Sequence, residues 1–197
     1  MAFVETVSAS EATGELATLY QESIAHLGYL PNYMRASSAR PAVLRGWAEL
    51  NGAIKARSDQ RRYELATVAA ARRLRSSYCA LARGKILAER FLGADGVRSL
   101  PVGLDEADLA VVQLAEKVVD DATSISAADV EHLRTLGLRD EEIVSVVLAA
   151  AARCFFSKKL DALGVQPDAL YVELQPELRD VLTVGRPIEA NYTAAIP

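Results

Sequence analysis

The chain has 197 residues, 51% of them hydrophobic and 24% charged, with a net charge of −4 and a pI near 5.3. That is the balance of a folded chain with a sizeable core, and its acidic character argues against a nucleic-acid partner, which needs clustered Lys and Arg to track phosphates. No run reaches the roughly 18–20 apolar residues needed to cross a bilayer, and the segment Met1-Ala-Phe-Val-Glu-Thr-Val lacks the basic and apolar regions of a signal peptide, so a cytoplasmic protein without membrane contact is expected.

Ser8 and Glu11 have the spacing of a capping box, and Leu16, Leu19, Tyr20, Ile24 and Leu27 then recur at helical intervals, which predicts a first helix over about 11–27 stopped by Gly28. Pro31 suits the first turn of a short helical piece, and Pro41 the start of a helix whose apolar set is Leu44, Trp47, Ala48, Leu50 and Ile54. Ser58-Asp59 opens the next helix, which carries Glu64. Another starts near Ser76 and runs to about Leu92, so this pair occupies about 58–92. The Gly- and Pro-punctuated stretch from Gly93 to Gly103 reads as a connection. Asp105 opens a helix to about Asp120, Ser126 a shorter one ending near Gly137, and Asp140 a long closing helix over about 141–163 stopped by Gly164. The tail from Gln166 contains four prolines and is expected to wrap the surface with helical turns near 167–171 and 175–182. No hairpin or repeat signal appears, so the reading is one all-α domain over 1–197.

Two residues of the 58–92 pair stand out chemically. On a helical wheel Arg61, Arg62, Arg72 and Arg73 share one arc, while Tyr63, Ala66, Thr67, Val68, Ala70, Ala71 and Leu74 share the other. Glu64 is the one charge on the apolar arc and should lie partly buried, as a group suited to proton transfer or as the partner of an Arg. If Ser76 is an N-cap, Cys79 sits in the first turn of its helix, where the positive end of the backbone dipole favours a thiolate. Arg83 follows one turn later. Cys79 can equally be read as a small packing residue. Cys154 falls on a face with Ile143, Val147 and Ala150 and reads as core, and His26 and His132 read as a helix-end and a surface histidine. Two cysteines and two histidines without ligand spacing indicate no metal and no cofactor.

The motif resembles that of the alkylhydroperoxidase D-like and carboxymuconolactone decarboxylase superfamily, in particular its uncharacterised peroxidase-related branch. Gly28-Tyr-Leu-Pro31-Asn32 with Arg40-Pro41, and Asp140-Glu-Glu-Ile143 through Phe155-Phe156 to Leu163-Gly164-Val165, extend the resemblance over nearly the whole chain. The family pattern is a glutamate, a C-x-x-C pair beginning twelve residues later, and a histidine four residues after the second cysteine. Glu64 matches the glutamate and Cys79 the second cysteine, the thiol that attacks peroxide in the peroxidases. Ser76 stands in place of the first cysteine, Arg83 in place of the histidine, and Tyr78 where some members carry a further histidine. The resemblance implies an alkylhydroperoxidase D-like helical bundle that assembles as a trimer or hexamer, with this motif as its active site.

Ser76 cannot resolve a sulfenic acid, and Arg83 can hold a thiolate but cannot shuttle a proton. The two-cysteine disulfide cycle is therefore not expected. Three readings remain. One is a one-cysteine thiol peroxidase or redox sensor, in which Cys79 attacks a peroxide, Glu64 relays protons through water or Tyr78, and an external thiol resolves. Another is a decarboxylase-like enzyme using Glu64 as acid and base on a small organic acid or lactone, which predicts a pocket beside Glu64. The last is an inactive oligomeric scaffold or binding module, which predicts a Glu64–Arg83 ion pair and no cavity beside the sulfur.

Overall fold

The computed structural model describes residues 2–190; the end of the proline-bearing tail, 191–197, lies outside the described residues. Among these all the regular structure is helical, with no strand. The helices are α1 (Gly14–Leu27), α2 (Asn32–Arg35), α3 (Pro41–Ala56), α4 (Gln60–Arg73), α5 (Ser77–Leu87), α6 (Gly93–Arg98), α7 (Glu106–Asp121), α8 (Ala127–Thr135), α9 (Asp140–Ala162) and α10 (Pro176–Leu182). No helix among the described residues is long and apolar enough to cross a membrane.

Most of the expected starts and stops are present. Asp59 accepts from the Arg62 N–H at the start of α4, Asp105 accepts from the Asp108 N–H at the start of α7, and Ser126 and Asp129 form a full capping box on α8. Two expectations need correction. The Ser8–Glu11 contact exists, but it closes a separate turn, and α1 begins only at Gly14 after Thr13. The 93–103 connection contains α6, and α5 runs into it through a π-helical turn over Ala88–Leu92.

Helix α4 is the centre of the molecule, in contact with α5, α7 and α9. Its nine residues from Tyr63 to Ala71 are all buried, because small Ala and Thr side chains let neighbouring helices approach on several sides. Its arginines reach the flanks. Arg61 and Arg62 both pair with the buried Asp108 of α7, Arg62 also with Glu142 of α9, and Arg73 with Asp120.

The α4–α5 junction fixes where Cys79 lies. The Arg75 N–H donates to the Arg72 carbonyl and the Ser76 N–H to the Ala71 carbonyl, the paired bonds of a Schellman turn. Such a turn needs a left-handed residue, and Arg75 takes it at φ 56° where the equivalent position after α9 is Gly164 at φ 72°. The chain thus reverses within three residues, and α5 packs back along α4.

The tail does more than wrap the surface. Leu182 of α10 lies so close to the α5 backbone that a Cβ on Gly84 would stand 2.5 Å from its Cδ1, and the Gly185 N–H donates to Ser77 Oγ at 2.7 Å. Asp168 and Tyr171, in the segment before α10, are buried.

Candidate active site

Ser76 caps α5 by position, so Cys79 is the third residue of the helix, in its first turn. The thiol is only 1% exposed, but it opens onto a cavity of about 810 Å³. The cavity is bounded by residues from α1, α3, α5 and α9 and from the 168–171 segment. Its wall brings together three parts of the chain far apart in sequence: Trp47, then Cys79 and Arg83, then Arg153 and Tyr171.

The sulfur is met by Arg153, whose Nη1 donates to Sγ at 3.6 Å. Arg153 is itself 2% exposed, with its guanidinium 5.9 Å from the Trp47 ring centre and 5.8 Å from that of Phe156. A delocalised cation resting against aromatic rings and directed at sulfur stabilises a negative charge there. Helix α9 buries Ile143, Val146, Ala150, Arg153, Ser157 and Leu160 on one stripe. Arg153 thereby holds the inward position that the sequence reading gave to Cys154. Cys154 is instead half-buried on the neighbouring stripe, its thiol pushed up by burial, and both cysteines are free.

Glu64 is buried more deeply than its wheel position implied, at 1% exposure. Its Oε1 lies 3.5 Å from Arg83 Nη1 and 3.6 Å from Lys55 Nζ, while neither carboxylate oxygen accepts a hydrogen bond. Arg83 lines the cavity; Glu64 does not. The Arg83 guanidinium is held above its ordinary value, since Glu64, Tyr63 and Cys79 together outweigh the effect of its burial. Arg83 thus pairs with the buried acid and borders the cavity onto which the thiol opens.

The other motif residues are committed elsewhere. Ser76 is fully buried with its hydroxyl turned toward Asp161 of α9, short of hydrogen-bond geometry. The Tyr78 hydroxyl donates to Asp168, which also accepts from the Asn32 backbone N–H at 2.7 Å and from the Tyr29 hydroxyl at 3.3 Å. Burial pushes the Asp168 carboxyl up against the pull of these donors, and burial and Asp168 together push the Tyr78 phenol well up. Lys159, one α9 turn beyond Phe156 and 4.5 Å from its ring centre, donates to Ser37 Oγ at 2.8 Å, and burial lowers it to about 8. His26 and His132 are exposed.

With this geometry in place, comparison with solved structures identifies the architecture. The alkylhydroperoxidase AhpD core protein of Ralstonia eutropha JMP134, an uncharacterised peroxidase-related protein, superposes with a TM-score of 0.76 at 20% identity, over 94% of this chain and 98% of that one. The fold is alkylhydroperoxidase D-like. A peroxidase-related protein of Silicibacter sp. TM1040 gives 0.72 at 20% identity over 86% and 94% of the two chains. A cysteine-to-alanine variant of the debrominase Bmp8, solved in complex with 2,3,4-tribromopyrrole, gives 0.70 at 15% identity over 91% and 95%. At these identities the likeness is one of fold. No family profile and no curated protein matches the chain by sequence.

Arg153, Trp47 and the Asp168–Tyr171 segment are the parts of the site that the motif did not contain. Arg153 had a signal. It is the one charged residue between Glu142 and Lys158.

Proposed function

We propose that the protein is a one-cysteine thiol oxidoreductase acting on a peroxide, with Cys79 as nucleophile. The observation that carries this reading is the buried Arg153 guanidinium donating to the Cys79 sulfur at the wall of a cavity large enough for an organic molecule. The Cys79 thiolate attacks the terminal oxygen of a hydroperoxide ROOH; a sulfur–oxygen bond forms, the oxygen–oxygen bond breaks, and the leaving alkoxide takes a proton from water as ROH. An external thiol then condenses with the sulfenic acid, releasing water and leaving a mixed disulfide. A second thiol reduces it and restores Cys79. Arg83 has N–H groups to donate to the departing oxygen, and Glu64 holds Arg83 in place through their ion pair.

This assigns Glu64 a positioning role in place of the proton relay expected from sequence, since its carboxylate faces two cations and is off the cavity wall. Tyr78 is likewise a positioning residue, joining α5 to the tail through Asp168. The same facts weigh against the decarboxylase-like reading, which needs a pocket at Glu64. The scaffold reading predicted the Glu64–Arg83 pair, but it also predicted a collapsed site, and an open cavity at the sulfur weighs against it. That the fold neighbours include both peroxidase-related proteins and a debrominase supports an organic substrate over a purely structural role.

The test is stoichiometric cumene hydroperoxide added to the Cys154→Ser protein, followed by dimedone and intact-mass measurement. One dimedone adduct on Cys79 is expected. Absence of any adduct with the fold intact removes the redox reading.

A further inference from the structure

Peroxide chemistry by itself requires room for two oxygen atoms, yet the cavity of about 810 Å³ falls in the range of pockets that enclose drug-sized molecules, roughly 300–1,000 Å³. Its wall has two adjoining chemical parts, since the Arg153 guanidinium lies 5.9 Å and 5.8 Å from the Trp47 and Phe156 ring centres. One is aromatic. Trp47 and Phe156 stack with ring centres 4.5 Å apart and planes 11° from parallel, and Tyr33 meets Phe156 edge-on at 5.5 Å. Rings locked against each other offer a flat, rigid surface on which a planar apolar guest gains both burial and ring contact.

The other part is cationic. Arg83 has its charge met by Glu64, whereas Arg153 has no ion-pair partner among the described residues. Arg153 gives one N–H to sulfur, its Nε has no partner, and it is shielded from bulk water. A guanidinium has five N–H donors in a fixed fork, so the one bond to sulfur still leaves donors, Nε among them, for a second acceptor. The group that complements it is a planar carboxylate, which takes two parallel N–H bonds. Asp168 lies on the same wall with its own charge already served by three donors, so a second negative group on a ligand would meet repulsion.

We propose that the cavity binds an aromatic monocarboxylate, with the ring against Trp47 and Phe156 and the carboxylate on Arg153. The claim that such a molecule is the substrate skeleton rests on the reading of Cys79 given above; the binding claim stands apart from it. The test is calorimetric titration of the intact protein with phenylpropionate, phenylpropanol and cyclohexylpropionate, with the emission of Trp47, the one tryptophan of the chain, as a second readout. Phenylpropionate should bind about tenfold more tightly than the alcohol, the scale of one charge-assisted hydrogen bond, and more tightly than the saturated acid. In Arg153→Met the preference for acid over alcohol should vanish while the alcohol still binds. Equal affinity for acid and alcohol in the wild-type protein, or a preference that persists in Arg153→Met, overturns the proposal; the wild-type comparison decides even if the variant does not fold. Cys79 that forms a dimedone adduct while acid and alcohol bind equally would sink the ligand class alone. Cys79 inert to peroxide in a protein that prefers the acid would sink the redox reading alone.

Discussion

Glu64 of α4 and Arg153 of α9 are both buried charges, but their surroundings differ. Glu64 lies between Arg83 and Lys55, away from the cavity, with its charge answered by protein. Arg153 faces the cavity, touches the sulfur and has no carboxylate partner among the described residues. A buried charge answered by protein holds structure together; one left open toward a cavity is available to a thiolate or a ligand. The two residues should therefore respond to substitution in opposite ways.

The largest effect is expected at Glu64. Removing one partner of a buried ion pair costs about 3–5 kcal/mol, and because Arg83 and Lys55 retain some access to solvent, Glu64→Gln should cost nearer 2–3 kcal/mol in urea unfolding. The double variant Glu64→Gln/Arg83→Met should recover part of that. A loss within about 0.5 kcal/mol, the usual range for surface changes, would mean that the pair is not structural. Arg153→Met should instead change stability by less than about 1 kcal/mol, since no buried carboxylate loses its partner, yet slow alkylation of Cys79 by about tenfold.

A smaller, pH-dependent effect is expected at Lys159. Burial depresses its folded value to about 8, below the ordinary 10.5, so between these values the unfolded chain binds more protons than the folded one. Stability should rise as pH goes from about 8 toward 10.5, with the cost of charging the buried amine fully present below that window. Lys159→Met should flatten this part of the profile, and an unchanged slope would contradict the assignment. The smallest effect is at Cys154, whose replacement by Ser should leave the Cys79 adduct yield unchanged, because Arg153 and not Cys154 faces the sulfur.

The difference between the two charges also explains what could be read in advance. Helix positions were legible because their punctuation is local: Gly28, Pro41, Asp59, Asp105 and Ser126 each act on the backbone within a few residues. Glu64 was legible because the Arg-bearing arc of α4 set it apart. Arg153 was harder to place: the face through Ile143 and Ala150 is buried as expected, but it extends toward Val146 and Arg153 and not toward Val147 and Cys154. Nor could local signals find Asp168, which meets Tyr78 across 90 positions of sequence. The cavity as a whole is a tertiary product, assembled from α1, α3, α5, α9 and the tail, and no single segment carries its pattern.

The most direct test is the rate at which iodoacetamide modifies Cys79 at neutral pH, followed by intact mass in Cys154→Ser and in Cys154→Ser/Arg153→Met. If the guanidinium supports charge on the sulfur, the first protein reacts at Cys79 about ten times faster than the second, and both keep their helical circular dichroism. Equal rates in two folded proteins would contradict the account, because the contact between Arg153 and sulfur would then be packing without chemical consequence.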